Sequence, residues 1–202
     1  DRLLEKRFGD ASTIIFRNRG ILGRILVAQG RLPEALTFIR KLLAVAIETR
    51  SHPLLIARTK ENLGIALFRA NDVAAAEVML IDAIEKFEEY YPGGHPRFAN
   101  ALDNLAQVIS RRNDLPRAEK YALRAVEMAR PYPVSREGAN ALEVLARIVR
   151  MQGRTEDAIG HQREAVQLMV KHYGAEATET LAARGMLGSF ILDTGDPDAA
   201  AP

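Results

Sequence analysis

A Leu followed by Gly or Ala recurs five times along this 202-residue chain: Leu22-Gly23, Leu63-Gly64, Leu105-Ala106, Leu145-Ala146 and Leu187-Gly188, in steps of 41, 42, 40 and 42. Three residues after each small residue comes an aliphatic (Leu26, Leu67, Ile109, Val149, Ile191), and twelve after it an Ala (Ala35, Ala76, Ala118, Ala158, Ala200). Nineteen after it come Ala83, Ala125 and Ala165, with Leu42 the exception in the first unit. Slots held in register at this period identify a repeat protein, whose units cannot bury their apolar faces alone and must stack on neighbours.

Each unit reads as two helices. Ala, Leu and Arg dominate while β-branched and aromatic runs are scarce, which favours helix and an all-α fold. In the first helix, Leu102, Leu105, Ala106 and Ile109 show the spacing of one continuous apolar stripe. A polar break follows (Gln29-Gly30-Arg31, Asn71-Asp72, Asn113-Asp114, Gln152-Gly153, Thr194-Gly195-Asp196). Asp72, Asp114 and Thr155 are candidate N-caps of the second helices, and Pro33 and Pro116 fit a first helical turn, where a missing N–H costs nothing. The recurring Ala and Gly belong where helices cross closely.

A longer echo joins alternate units. Phe8-Gly9-Asp10, Tyr91-Pro92-Gly93-Gly94 and Tyr173-Gly174-Ala175 fall 83 and 82 residues apart, each reading as a helix end. The expected organisation is a single array: residues 1–13 the end of a preceding helix and its turn, then repeats at 14–52, 53–94, 95–133 and 134–175, and an incomplete fifth at 176–202. This reads as a piece of a longer array.

The chain has no Cys, which removes disulfides, Cys-based zinc sites and Cys nucleophiles. Its 28 basic residues nearly balance 26 acidic ones, so composition implies no general affinity for nucleic acid. The longest apolar run, Leu42 to Ile47, is far too short to span a membrane, and no signal-peptide pattern opens the sequence; a cytoplasmic location is expected. His161 and His172 lie eleven apart on one helix without a carboxylate at ligand spacing, and His52 and His95 each precede Pro as helix-entry residues, so no metal is expected. Phosphate-loop, nucleophile-elbow and zinc-protease motifs are all absent, and neither enzymatic activity nor a cofactor is expected.

The run His95-Pro96-Arg97-Phe98-Ala99-Asn100-Ala101-Leu102-Asp103-Asn104-Leu105-Ala106, with a looser copy from His52-Pro53 to Asn62-Leu63-Gly64, resembles the tetratricopeptide repeat family. Repeats of 40–42 residues narrow the resemblance to its kinesin-light-chain-like subclass, over about residues 14–195. The resemblance implies a right-handed superhelical solenoid of antiparallel helix pairs. Its first helices would line a concave groove that binds extended or helical peptide segments, with Asn62 and Asn104 gripping peptide amides.

Counted from the small residue of each unit, the first-helix positions away from the packing stripe lie six, three and two before it, and one, four and five after it. They hold Arg17, Gly20, Ile21, Arg24, Val27 and Ala28, then Arg58, Glu61, Asn62, Ile65, Phe68 and Arg69. Next come Asn100, Asp103, Asn104, Gln107, Ser110 and Arg111, then Asn140, Glu143, Val144, Arg147, Arg150 and Met151, and last Ala182, Gly185, Met186, Ser189, Leu192 and Asp193. Seven Arg against four carboxylates make this face net positive. The expected peptide-binding residues are Arg58, Asn62, Arg69, Asn100, Asn104, Gln107, Arg111, Asn140, Arg147 and Arg150. Asn offers a donor and an acceptor to a peptide backbone, and Arg forks onto carboxylates, so an acidic extended peptide fits. Such contacts predict micromolar affinity, about −8 kcal/mol. The plainer reading is a solvated polar face, with Glu143 and Arg147 a simple i, i+4 pair. Other functions open to this sequence are a peptide-ligand sensor controlling an effector domain and a self-assembling module. The latter would join its uncapped ends through Leu3, Leu4 and Phe8 at one end and Met186, Leu187 and Phe190 at the other. Interleaved carboxylates and few aromatics count against a nucleic-acid partner, and no membrane partner is expected.

Overall fold

The computed structural model describes residues 9–132 and 134–194, with side chains from Asn18 onward. Among the described residues the chain is α-helical, without strands. The helices are α1 (Gly9–Ala28), α2 (Leu32–Glu48), α3 (Pro53–Arg69), α4 (Val73–Tyr90), α5 (Pro96–Ser110), α6 (Leu115–Ala129), α7 (Arg136–Met151), α8 (Thr155–Tyr173) and α9 (Thr178–Leu192). They divide between two compact units, Asp1–Tyr90 and Tyr91–Pro202, where the sequence reads as one array. In the first unit α1 packs on α2 and α3, α2 on α3, and α3 on α4. In the second, α5 packs on α6 and α7, α6 on α7, α7 on α8, and α8 on α9. Each unit is thus built of helix pairs joined by short turns and stacked on the next pair.

The turn inside each pair has one recurring device. Gly30, Asn71, Asn113 and Gly153 share a slot seven residues past the small residue, and all four adopt positive φ, between 61° and 84°. Gly and Asn are the residues that enter this left-handed region at least cost. The reversal lets the N–H of the next residue reach back to the last turn: Arg31 to the Leu26 carbonyl, Asp72 to Leu67 and Arg154 to Val149, at 2.9–3.2 Å. The residue after the left-handed one is therefore the N-cap of the second helix. Asp72 accepts there from the Ala75 N–H and Asp114 from the Arg117 N–H. Thr155, expected to cap α8, stands one residue too late and is the first helical residue; the cap position belongs to Arg154, which has no side-chain cap bond. Pro33 and Pro116 sit in the first helical turn as expected.

Entry into the first helices uses His-Pro. His52 and His95 are the N-caps of α3 and α5, their Nδ1 accepting from the Leu54 N–H at 3.3 Å and the Arg97 N–H at 3.0 Å. His95 also stacks on Tyr91 at 4.2 Å and meets Tyr132 edge-on at 5.9 Å. Residues 9–13 lack such a break and continue the helix of α1, where the sequence analysis places a turn. Phe8 and the rest of residues 1–8 lie outside the described residues, as do Asp196 to Pro202 with Ala200.

The core follows the repeat slots. Ala35, Ala76, Ala118 and Ala158 are fully buried, as are Ala83, Ala125 and Ala165. A Cβ on Gly23 would stand 2.7 Å from Ile39 Cγ1, and one on Gly64 would stand 2.8 Å from Leu80 Cγ and 3.2 Å from the Ala76 carbonyl oxygen. The first helix therefore crosses the second at backbone distance, which larger side chains prohibit. Leu63, Leu105 and Leu145 are buried beside these small residues, whereas Leu22 is half-exposed.

Two outcomes follow. Gly64→Val lowers stability by about 1–3 kcal/mol through overpacking, whereas Gly160→Ala, in the exposed interior of α8 with nothing near its Cβ, raises it by about 0.5–1 kcal/mol; urea unfolding followed by circular dichroism measures both. Burial and the nearby Arg97 charge hold His95 below the ordinary imidazole range, against a weaker opposing pull from Glu137. Its neutral form is favoured in the fold, so its contribution is present above the unfolded value of about 6.5 and is lost as pH falls through the lower folded value. Unfolding midpoints measured across this range fall in the wild type, and His95→Asn, which retains a capping acceptor, flattens that dependence.

Candidate peptide-binding faces

In the first unit, α1 and α3 lie side by side and enclose an open groove of about 700 Å³. Ile21, Ile25, Val27, Ala28 and Ile65 give it an apolar floor, and Arg24, Asn62 and Arg69 supply all its polar side chains. Among the described residues no carboxylate lines it. Among the described residues the side chains of Arg24, Asn62 and Arg69 have no hydrogen-bond or ion-pair partner. The helical repeat sets this arrangement: Ile21, Arg24 and Ala28 recur at three- and four-residue spacing on one face of α1, as do Asn62, Ile65 and Arg69 on α3. Buried Gly20 makes room for the neighbouring helix, since a Cβ there would stand 3.3 Å from Asn62 Nδ2. Arg58, also on α3, is half-buried and already engaged, so it differs from the two free guanidiniums. The side chain of Arg17 lies outside the described residues.

The second unit presents a different face. Asn100, Asn104 and Gln107 on α5, and Asn140 on α7, are half-buried, while Arg111 and Arg147 are exposed. Asn104 Nδ2 is buried without a hydrogen-bond partner. Gln107 Nε2 donates to Asp103 Oδ2 at 3.5 Å, which occupies part of its capacity. Arg150 is committed elsewhere: its guanidinium lies 4.7 Å over the Phe190 ring and pairs with Asp193 Oδ2 at 3.1 Å, tying α7 to α9. Phe190 is buried, Met186 and Leu187 are half-buried, and Leu3, Leu4 and Phe8 lie outside the described residues.

In the first four repeats the slot three residues before the small residue is closed in, whereas Gly185 in the fifth is exposed. Gly20, Glu61 and Asp103 are all buried there, and Glu143 is half-buried. Val144, expected on the open face, is buried too. Burial pushes the Asp103 carboxyl well above the usual carboxylate range; the Arg147 charge pulls it down, Glu143 pushes it up and the Gln107 amide pulls it down. Glu143 is likewise raised by burial, against the Gln162 amide and Arg147. Glu143 and Arg147 make no ion-pair contact, but the Arg147 charge one turn away still favours the ionised Glu143, as the i, i+4 spacing suggests. Ile25 and the first-repeat share of the groove were not among the expected binding residues. The signal was present in the first unit's positions, which hold no acid.

Models of the tetratricopeptide repeat match residues 15–89, 55–131 and 104–168. The chain belongs to the tetratricopeptide repeat family. No curated protein matches it in sequence. Among solved structures, BtubC (BKLC) from P. vanneervenii is 18% identical with a TM-score of 0.83, covering 98% of this chain and 80% of that one. A putative kinesin light chain from Podosopora anserina with nearly identical TPR-like repeats is 18% identical with a TM-score of 0.74, covering 91% and 89%. A Rap protein complexed with Competence and Sporulation Factor is 14% identical with a TM-score of 0.77; the match covers 92% of this chain and half of that one. At these identities the likeness is one of fold, and it is to kinesin-light-chain-like repeats. The tetratricopeptide repeat makes this chain a protein-interaction scaffold, on a fold that is generally non-catalytic. Among the described residues no three His, Asp or Glu side chains gather as metal ligands, and no helix is long and apolar enough to cross a membrane.

The raised Asp103 carboxyl makes a stability prediction. A group held protonated by the fold stabilises it below its unfolded value of about 3.9 and loses that contribution as pH rises through its folded value. Asp103→Asn therefore raises the urea midpoint near neutral pH, and its advantage over wild type shrinks on acidification toward pH ~4.

Proposed function

We propose that this tetratricopeptide repeat array binds an extended, acidic peptide segment of a partner protein along the faces of its first helices, as part of a larger signalling or regulatory protein. The observation that carries this reading is the α1/α3 groove, where, among the described residues, Arg24, Asn62 and Arg69 stand unpaired around an apolar floor without an opposing carboxylate. Unpaired guanidiniums invite a carboxylate, which they can hold through two parallel N–H bonds. Asn62 can take both the C=O and the N–H of a passing peptide bond, giving grip that does not depend on side-chain identity. Half-buried Asn104 and the exposed Arg111 and Arg147 carry further amide and guanidinium groups on the second unit.

The reading is tested by display of a disordered-peptide library on the purified chain. Acidic segments carrying apolar residues are enriched by the wild type. A charge reversal at Arg69 combined with Asn62→Ala weakens their binding about tenfold or more, equivalent to the loss of one or two charge-assisted hydrogen bonds. An Asn104→Ala, Arg111→Glu variant of unchanged helicity weakens it as well. Equal enrichment by wild type and both variants contradicts the proposal.

A second reading, a ligand sensor that changes shape around its peptide, draws support from the likeness to a Rap protein complexed with Competence and Sporulation Factor. It differs in one observable: small-angle scattering records a change of radius on adding the selected peptide, whereas a rigid scaffold leaves the profile unchanged.

A further inference from the structure

Arg24 on α1 and Arg69 on α3 are both exposed and line one groove, yet neither guanidinium has a hydrogen-bond or ion-pair partner among the described residues. Other cations are matched within the fold. Arg31 holds Glu34 at 2.6 Å, Arg154 holds Glu119 at 2.7 Å and Asp157 at 2.9 Å, and Lys60 holds Asp82 at 2.7 Å. Helix geometry sets how far apart the two unmatched charges start. α1 and α3 are the first helices of successive pairs, run in the same sense and pack side by side. A Cβ on Gly20 would stand 3.3 Å from Asn62 Nδ2, which sets Gly20 level with the Asn62 amide. Arg24 follows Gly20 by four residues, about 6 Å along the axis, and Arg69 follows Asn62 by seven, about 10.5 Å. The two arginine stems therefore start only about 4–5 Å apart along the groove, on its opposite walls. Two long side chains can close that gap on a single anion between them.

A carboxylate brings one negative charge and fills one guanidinium fork. A phosphate monoester brings nearly two charges at neutral pH and three acceptor oxygens, and it suits the same fork. One phosphate thus balances both arginines, where one carboxylate leaves a cation unmatched. Ile21 and Ile25 beside Arg24, and Ile65 one turn before Arg69, place apolar surface next to the charges. We propose that the α1/α3 groove binds a phosphorylated segment of a partner protein, one phosphoserine or phosphothreonine bridging Arg24 and Arg69 while its apolar neighbours rest on the isoleucines. The inference rests on the peptide-binding reading and narrows it: phosphorylation of the partner, beyond its general acidity, selects it for this groove. Asn62, on the far side of Arg24 from Arg69, is left to hold the peptide backbone. The doubly charged phosphate is the form that fits, so affinity falls as pH drops below its second ionisation near about pH 6 and levels off above it.

The test is calorimetric titration of the chain with short peptides of isoleucine, alanine and glycine that differ only at the centre: one phosphoserine, one glutamate, two adjacent glutamates, or serine. Wild type is expected to bind the phosphopeptide about tenfold or more tightly than the single-glutamate peptide at neutral pH. Between about pH 7 and pH 5 the phosphopeptide is expected to lose several-fold in affinity, while the glutamate peptides, whose carboxyls titrate near about 4.3, hold nearly steady. Arg24→Gln and Arg69→Gln, at exposed positions and with helicity checked by circular dichroism, are each expected to bring the phosphopeptide within about threefold of the single-glutamate peptide. Inorganic phosphate, which lacks the apolar neighbours, is expected to compete only at about a hundredfold higher concentration or more. A two-glutamate peptide that matches the phosphopeptide, or a phosphate preference that survives in both variants, overturns this inference and leaves the acidic-peptide reading in place. Inorganic phosphate competing as well as the phosphopeptide overturns a protein segment as the occupant. Failure of wild type to bind any of the anionic peptides overturns both readings.

Discussion

The two helices of each pair cross where the first has no room for more than a methyl group. Gly23 against Ile39 and Gly64 against Leu80 show the constraint most directly, and the buried Ala106 and Ala146 occupy the same slot in the second unit. Close crossing brings the alanines of the second helix, Ala35, Ala76, Ala118 and Ala158, to full burial, and it fixes the rotation of every first helix about its own axis. Once that rotation is fixed, the remaining faces are fixed too. One carries the aliphatic stripe, one meets the next first helix, and one is left to solvent and ligand. The left-handed Gly or Asn seven residues later then returns the chain at a constant place, so the arrangement repeats.

The binding chemistry grows out of this geometry. On α1 and α3 the free face collects Ile21, Arg24 and Ala28 with Asn62, Ile65 and Arg69, and among the described residues nothing acidic enters the groove they line. On α5 and α7 the contact between first helices instead encloses carboxylates. There the acids are charged only at a cost, because burial removes their hydration and Arg147 is their one nearby cation among the described residues. The two units therefore offer different electrostatics on one repeated scaffold: unpaired cations over an apolar floor in the first, and a cation balanced against buried acids in the second.

Much of the fold was legible because it depends on residues with few alternatives. The Leu-Gly or Leu-Ala pairs, the spaced alanines, the His-Pro entries and the first-turn prolines each have one structural use, and they recur in register. Less was legible where neighbouring positions compete for one role. Thr155 is a better capping residue than Arg154, yet the left-handed residue at Gly153 sets the register and puts the arginine at the cap. The site was readable as a face but not in its depth. Asp103 and Glu61 lie on the polar side of their helices, and helical spacing alone cannot tell a groove wall from the seam between helices. A hint was present: Gly20 holds the same slot in the first repeat, as a crowded position would demand. Arg150 shows a different limit. Its partners, Phe190 and Asp193, come from a helix forty residues on, and sequence spacing does not reveal such a tertiary clamp.

The proposed seat of an acidic peptide is the apolar floor between α1 and α3, and isoleucine methyl groups report on that place directly. Ile21, Ile25 and Ile65 line the groove, whereas Ile39, Ile109 and Ile148 are buried away from solvent in the packing of the repeats. Methyl NMR of isoleucine-labelled protein titrated with an acidic peptide selected by display should shift the first three signals together, with a common affinity, and leave the second three in place. Binding of the same peptide with Ile21, Ile25 and Ile65 unmoved would contradict it.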